Sequence, residues 1–208
     1  MSAAHARKKP FLRLATAAVA MVAALGMAAC SGGAATSSSS SGAQVGDRTP
    51  EQIQESGEIV IGIFSDKAPF GYIDADGKPA GYDVVYGDRI AADLGVTAKY
   101  VPVDAAARTE VLASNKVDIT LANFTVTPER AEKVDFANPY FKVSLGVVSP
   151  TSAEITDVSQ LAGKTLIVTK GTTAEAYFEA NHPEVKLLKF DQYSDAYQAL
   201  EDGRGDAF

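Results

Sequence analysis

Strand-like and helix-like segments alternate along this 208-residue chain from Glu58 onward. The apolar run from Ile59 to Phe64 has the length of a buried strand, and a helical segment from Asp83 to Leu94 stops at a glycine. Between them, Tyr72 to Tyr82 holds an Asp-Gly turn and predicts a β-hairpin. This alternation predicts an α/β fold with a mainly parallel sheet.

A second series of elements follows a long apolar segment, Val143 to Val148, which the pattern predicts to be a strand. The new series includes strands at Thr165 to Thr169 and Val185 to Phe190. Two lobes are therefore predicted, over residues 57–148 and 149–208. The second series stops at Gly205 to Phe208, where another core strand would start, so we expect the second lobe to be truncated.

The first 30 residues have the pattern of an export signal. Basic residues precede an apolar run from Leu14 to Met27 that is too short to span a bilayer. The Met-Ala-Ala before Cys30 resembles a lipobox, although Met27 stands where leucine is usual. We expect lipidation of Cys30 and anchoring to the outer, periplasmic or extracellular, side of the cell membrane, with simple secretion as the alternative. Rich in Ser, Gly and Ala, residues 31–56 are predicted to be a flexible tether.

The charge and the chemical groups of the chain exclude several functions. Four of its 19 Lys and Arg, and none of its 26 acids, precede Cys30, so the net charge of the rest is about −11. Such a surface repels nucleic acid. A single cysteine allows no internal disulfide, and His182 is the one histidine after Cys30. We therefore expect neither a metal site nor a cofactor.

An anion site is predicted where the third strand of the first lobe runs into a short helix. Thr127 is placed to cap that helix, and Pro128 occupies its first position. Arg130 adds a planar fork of donors that can hold a carboxylate with two hydrogen bonds. The alternative is a surface arginine paired with Glu129 or Glu132. The pattern favours a small carboxylate ligand.

Five motifs occur in an order that resembles a known family, and they cover Val60 to Phe208, about three quarters of the chain: IGIFSDKAPFGY, GKPAGYDVVYGDRIAADLG, SNKVDITLANFTVTPERAEKVDFANPY, LAGKTLIVTKGTTAEAYF and DGRGDAF. The family is the type II periplasmic substrate-binding proteins of polar amino-acid ABC importers, solute-binding protein family 3. The resemblance implies two α/β lobes that close on one amino acid, a monomer, delivery to the permease subunits and no catalysis.

The resemblance also implies a set of ligand-binding residues. Arg130 matches the clamp for the ligand's α-carboxylate, helped by Thr125, and the carbonyl of Asn123 matches the acceptor for the ligand's ammonium. Thr172 and Thr173 match the second-lobe donors to the same carboxylate, and plain helix capping is the alternative for both. The family's ammonium-pairing aspartate normally follows the DAF motif, and the sequence ends there.

The sequence defines less clearly which residues would contact the side chain of the ligand. An arginine at the position of Arg108 resembles the acidic and cysteine-binding branches, and a solvated helix face is the alternative. Phe64 and Phe124 would form an apolar wall, or else pack in the core. Asp66 lies in the same first-strand loop. Taken together, the motifs are most similar to the cysteine-binding branch.

Two other functions remain open from sequence. A cyclohexadienyl or arogenate dehydratase-like enzyme on the same fold would need a positioned acid, for which Asp66 is the candidate. A ligand-sensing domain of a signalling protein would need a fused membrane segment.

Overall fold

The computed structural model describes residues 45–208. The predicted signal segment, the lipidation site Cys30 and the first part of the predicted tether lie outside the described residues. Among residues 45–208, no helix has the length and apolar character needed to cross a bilayer.

The described elements are, in chain order, α1 (Pro50–Ser56), β1 (Glu58–Ile63), β2 (Asp66–Lys67), β3 (Gly71–Ile73), β4 (Pro79–Ala80), α2 (Tyr82–Leu94), β5 (Thr97–Pro102), α3 (Arg108–Ala113), β6 (Ile119–Thr120), α4 (Pro128–Ala131), two short 3-10 turns (Thr151–Ala153 and Val158–Leu161), β7 (Thr165–Thr169), α5 (Thr173–Asn181), β8 (Lys186–Phe190) and α6 (Tyr193–Glu201).

Helix α1 corrects the predicted extent of the tether. Thr49 accepts a hydrogen bond from the backbone N–H of Gln52, whose side chain binds the Thr49 backbone in return. This reciprocal capping box, with Pro50 at the first helical position, starts a helix within the range predicted to be flexible. The prediction is therefore wrong for residues 50–56, and the Thr-Pro-x-Gln pattern was the signal that it overlooked.

A three-stranded parallel sheet forms the centre of the first lobe, in the order β5-β1-β6. β1 is covered on both faces, which explains its unbroken apolar sequence. Ile59, Ile61 and Ile63 face one core cluster with α2, while Val60 and Phe64 face another with α3. The predicted parallel sheet is confirmed, and so is the hairpin, which the antiparallel strands β3 and β4 form beside β2.

The second lobe contains the parallel pair β7-β8. Leu166 and Val168 of β7 face a cluster around Phe178, and Ile167 faces α6 on the opposite side. Ala207 also pairs in parallel with β7, in agreement with the strand start predicted there. The predicted division at residue 148 stays a prediction.

Residues 143–148 do not form the strand that their apolar sequence predicts. Val148 exchanges two backbone hydrogen bonds with Phe208, at 2.7 and 2.8 Å. The segment before it has no strand neighbour among the described residues, and Val143 and Leu145 are exposed. Apolar sequence alone therefore did not make a strand, because a strand needs a partner ladder.

A buried ion pair fastens the start of the described chain to the first sheet. The guanidinium of Arg48 binds the carboxylate of Asp118, and their side chains are 7% and 3% exposed. The same carboxylate accepts from the backbone N–H groups of Gly46 and Val60 at 2.9 and 2.7 Å. Burial opposes ionisation of Asp118, but the bonds from Arg48 and the two N–H groups hold its pKa below the ordinary value.

We predict that Arg48→Ala lowers the free energy of unfolding by about 3 kcal/mol, because it leaves a buried carboxylate without its partner. Urea unfolding at pH 7 measures the loss. Arg89→Ala is the matched control, since Arg89 pairs with Asp93 on the exposed face of α2 and should give no measurable change. Because the folded pKa of Asp118 is depressed, the contribution is present above pH 3.8 and disappears as the pH falls further. Equal stability of the Arg48 and Arg89 variants at pH 7 would contradict the assignment.

Candidate functional site

A cavity of about 540 Å³ lies between the two lobes. It is lined by six of the residues that the sequence predicted for ligand binding: Arg108, Asn123, Thr125, Arg130, Thr172 and Thr173. Four of them come from the first lobe and two from the start of α5. Side chains separated by up to 65 positions in the sequence are therefore brought to one site.

Arg130 reaches this cavity because α4 begins where the sequence predicts. Thr127 caps the helix and accepts from the N–H of Arg130 at 3.3 Å. The guanidinium donates through Nη1 to the carbonyl of Thr125 at 2.7 Å and through Nη2 to the carbonyl of Gly171 at 2.9 Å. Burial lowers its pKa. An arginine has five N–H donors, so three remain for a ligand.

The alternative for Arg130 was a surface ion pair with Glu129 or Glu132. Among residues 45–208, neither carboxylate forms an ion pair with it. A half-buried guanidinium without an acidic partner in the protein strongly favours an anionic ligand.

Arg108 is placed differently from both interpretations of the sequence. Its side chain is almost fully buried, so the alternative of a solvated helix face is wrong. The guanidinium donates to the carbonyls of Ala105, Ala122, Asn123 and Gly171 at 2.8 to 3.1 Å. Burial and the neighbouring charge of Arg130 lower its pKa to about 10. One of its five donors remains, and its contact with a ligand side chain stays a prediction.

The two lobes contact each other at Gly171, beside Arg108 and Arg130. Its carbonyl accepts from both guanidinium groups, which uses the two lone pairs of the oxygen. Its φ is +70°, and a Cβ there would lie 2.4 Å from the Cα of Ala106. Only glycine allows the second-lobe loop to come this close to the first lobe.

The remaining polar residues of the cavity show both expected and additional roles. Asn123 has a φ of +46°, and its carbonyl keeps one free lone pair beside the bond from Arg108. Thr172 accepts from the N–H of Glu175 at 3.2 Å, so the capping alternative is confirmed for its hydroxyl. Thr173 starts α5, where the first N–H groups have no partner within the helix. Their contacts with a ligand stay predictions.

The two phenylalanines predicted as an apolar wall do not line the large cavity. Phe64 is 1% exposed and packs in the core against the edge of Tyr193, with ring centroids 5.4 Å apart. Phe124 instead lines a smaller cavity of about 290 Å³. Its ring centroid lies 4.7 Å from the guanidinium carbons of both Arg108 and Arg130. Both aromatic rings therefore support the charged groups rather than face a ligand.

Asp66 is also a correction. It lies outside the cavity lining, and its carboxylate accepts from the backbone N–H of Ser194 at 3.1 Å. A carboxylate near the start of a helix satisfies a donor that has no partner within the helix. Asp66 thus joins the lobes instead of pointing at a ligand, and the one acid considered for an enzyme is occupied structurally.

Sequence reasoning missed two cavity residues, Lys67 and Tyr193. The ammonium of Lys67 donates to the side-chain oxygen of Asn123 at 3.2 Å and to the hydroxyl of Tyr193 at 3.0 Å. Lys67 lies shortly after the first strand, which ends at Ile63, and this was a usable signal because the segment borders the cleft. Tyr193 gave none, because its neighbours in space are distant in sequence.

Comparison with known proteins relates this geometry to a function. The family model of bacterial extracellular solute-binding proteins, family 3, matches residues 59–206. The glutamine-binding protein of Geobacillus stearothermophilus is 29% identical over 201 residues, which cover 92% of this chain and 77% of that protein.

Two solved structures are more similar in sequence. The solute receptor for L-cysteine of Neisseria gonorrhoeae is 56% identical, with a TM-score of 0.75, over 77% of this chain and 66% of that one. The cysteine-binding protein from Campylobacter jejuni is 52% identical, with a TM-score of 0.74, over 76% of this chain and 65% of that one. The chain spans about two thirds of the length of these two receptors.

Proposed function

Because this chain belongs to the bacterial extracellular solute-binding proteins of family 3, we propose that it is a receptor for a small polar L-amino acid. It captures the amino acid outside the cell membrane, as a monomer, and delivers it to the permease subunits of an ABC importer. Cysteine is the favoured ligand, and glutamate and aspartate come next. No reaction is catalysed.

Arg130 is the observation that carries this proposal. Its guanidinium lies in the wall of the cavity with three donors free and has no acidic partner in the described part of the chain. A free amino acid supplies the missing anion through its α-carboxylate, which fits the guanidinium fork with two parallel hydrogen bonds. Thr125 borders the same position, so its hydroxyl adds a third polar contact.

Binding favours closure because the ligand contacts both lobes. The carboxylate held by Arg130 in the first lobe also meets the N–H groups at the start of α5, around Thr173. A ligand shifts an open-closed equilibrium only by its preference for the closed state. In the receptor, contacts made only after closure supply this preference.

The choice of cysteine is supported by the similarity to the two cysteine receptors. Lys67, Arg108 and Arg130 give the wall of the cavity a positive charge, which suits a ligand with more negative charge than a neutral zwitterion. The same charge supports glutamate and aspartate as the next candidates.

We predict that cysteine gives the largest thermal stabilisation of the full-length protein in a panel of the twenty amino acids, measured with a thiol-free reductant. Arg130→Ala should reduce affinity for the preferred ligand by about 30-fold or more, because a charge-assisted bond carries about 2 to 3 kcal/mol. Lys133→Ala is the matched control, since Lys133 is an exposed charge one turn further on and should bind normally.

Two outcomes would contradict this account. A basic or large apolar amino acid at the top of the panel would overturn the proposed ligand class. An Arg130→Ala variant that binds within about threefold of the unmutated protein would remove Arg130 from the site.

We also propose that the receptor is held at the membrane by a lipid on Cys30. The sequence before Cys30 supports this, since basic, apolar and small residues follow one another as in lipoprotein signals. Cys30→Ser is predicted to move the protein from the membrane fraction to the soluble fraction of its native host. A native membrane-bound protein whose mass shows an unprocessed N-terminus would contradict lipidation.

A further inference from the structure

The ammonium of Lys67 is surrounded by hydrogen-bond acceptors and aromatic rings at the cavity wall. Besides its bonds to Asn123 and Tyr193, its ammonium lies 4.1 Å from the centroid of the Tyr193 ring. The ring centroids of Phe64 and Phe70 lie 5.4 and 5.7 Å away. Three aromatic rings and two oxygen acceptors thus fix one positive charge in place.

This charge lies at one end of an alternating series of cations and rings. Lys67 contacts the ring of Phe64, which Arg108 also contacts at 5.4 Å. Arg108 then shares the ring of Phe124 with Arg130, at 4.7 Å each. Arg130 and Lys67 are therefore the terminal members of the series, and both line the large cavity. A ligand carboxylate at Arg130 leaves the Lys67 end for the rest of the ligand.

The cavity has an excess of positive charge along this series. In the described part of the chain, no carboxylate lies within ion-pair distance of Lys67, Arg108 or Arg130. The α-carboxylate of an amino acid compensates one cation, but its ammonium adds another. A side chain that is also an anion would reduce this excess charge.

The acid-base properties of Lys67 agree with this excess. Burial and the charge of Arg108 lower the pKa of Lys67 to about 8, and Asp83 on α2 and Asp66 on its own strand oppose the shift only in part. Burial raises the pKa of Asp83 to about 6, although bonding to Tyr140 and the charge of Lys67 lower it. At neutral pH the lysine is therefore mainly protonated, and a nearby anionic group of the ligand would raise its pKa further.

We propose that Lys67 is the specificity residue of this receptor and that cysteine is bound as its thiolate, in an ion pair with the Lys67 ammonium. The inference rests on the proposed function, because it names the form in which the favoured ligand is held. The S–H bond of free cysteine breaks, the electron pair stays on sulfur, and the proton passes to the buffer. No oxidant or reductant takes part.

Ionising the thiol of cysteine at neutral pH costs little free energy beside a cation. An unperturbed thiol has a pKa of about 8.5, and a neighbouring lysine or arginine lowers such a pKa by one or more units. Serine has the same shape but cannot ionise in this range, so it would leave the Lys67 charge uncompensated. An arginine or lysine ligand would place a second cation against the first, which the aromatic surroundings cannot compensate.

Calorimetry of the full-length protein tests the proposal directly. Cysteine is titrated at pH 7.0, with a thiol-free reductant, in several buffers that differ in ionisation enthalpy. The dependence of the observed heat on that enthalpy gives the number of protons released. We expect about 0.9 proton per cysteine, since nearly all of the free thiol and about nine tenths of Lys67 are protonated at this pH. Affinity should also rise nearly tenfold between pH 6 and pH 7.

Variants assign the released proton to Lys67. Lys67→Met should bind cysteine at least tenfold more weakly with little proton release, and Lys67→Arg should restore the release. Lys78→Met is the matched control, because Lys78 is an exposed lysine in the turn between β3 and β4 and should change neither quantity. Glutamate, already ionised at pH 7, should release almost no proton on binding any of these proteins.

The outcomes separate this proposal from the function on which it rests. Tight cysteine binding with less than about 0.2 proton released would overturn the thiolate while leaving the receptor function intact. Full release from Lys67→Met would overturn the role of Lys67. An unmutated protein that binds another amino acid but not cysteine would refute both the ligand assignment and the thiolate.

Discussion

The buried guanidinium of Arg108 is the interaction on which the cavity depends. Four of its donors hold the carbonyls of Ala105, Ala122, Asn123 and Gly171, so one side chain joins the loop after β5, the end of β6 and the second-lobe loop. The buried carbonyls of Ala105 and Ala122 would lose this donor without Arg108, and a buried carbonyl without a partner costs about 1 to 3 kcal/mol. Because Arg130 donates to the carbonyl of Gly171 as well, the carboxylate fork is positioned through the same contact.

Much of the fold could be predicted from the sequence because it depends on local and periodic signals. The run Ile59 to Phe64 is apolar without interruption, as a strand covered on both faces requires. Gly95 ends α2 as its C-cap, and Thr172 starts α5 as its N-cap, both at positions that the sequence predicts. Residues 143–148 failed as a strand because pairing, unlike apolar character, is not a property of the segment itself.

The candidate site was predictable where a motif carries the chemistry and not where packing assigns it. The capped helix at Thr127 and the adjacent donor fork of Arg130 could be read from the sequence, and the structure has Arg130 in the cavity wall, while its contact with a ligand stays a prediction. Phe64 and Asp66 were misassigned because one is covered by Tyr193 and the other binds the N–H of Ser194, and both partners lie more than 125 positions away. The position of Lys67 shortly after the first strand was a usable signal, but its contact with the distant Tyr193 ring is visible only in the fold.

The central claim is that Arg108 builds the cavity while Arg130 is free to bind, and ligand-free stability separates these roles. Urea unfolding of Arg108→Met and Arg130→Met, without any amino acid, is the direct measurement. The account predicts a loss of about 3 kcal/mol or more for Arg108→Met, because several buried carbonyls lose their donors, and about 1 kcal/mol or less for Arg130→Met. Unchanged stability of Arg108→Met together with loss of cysteine binding would contradict it, because Arg108 would then be a ligand contact and not the support of the site.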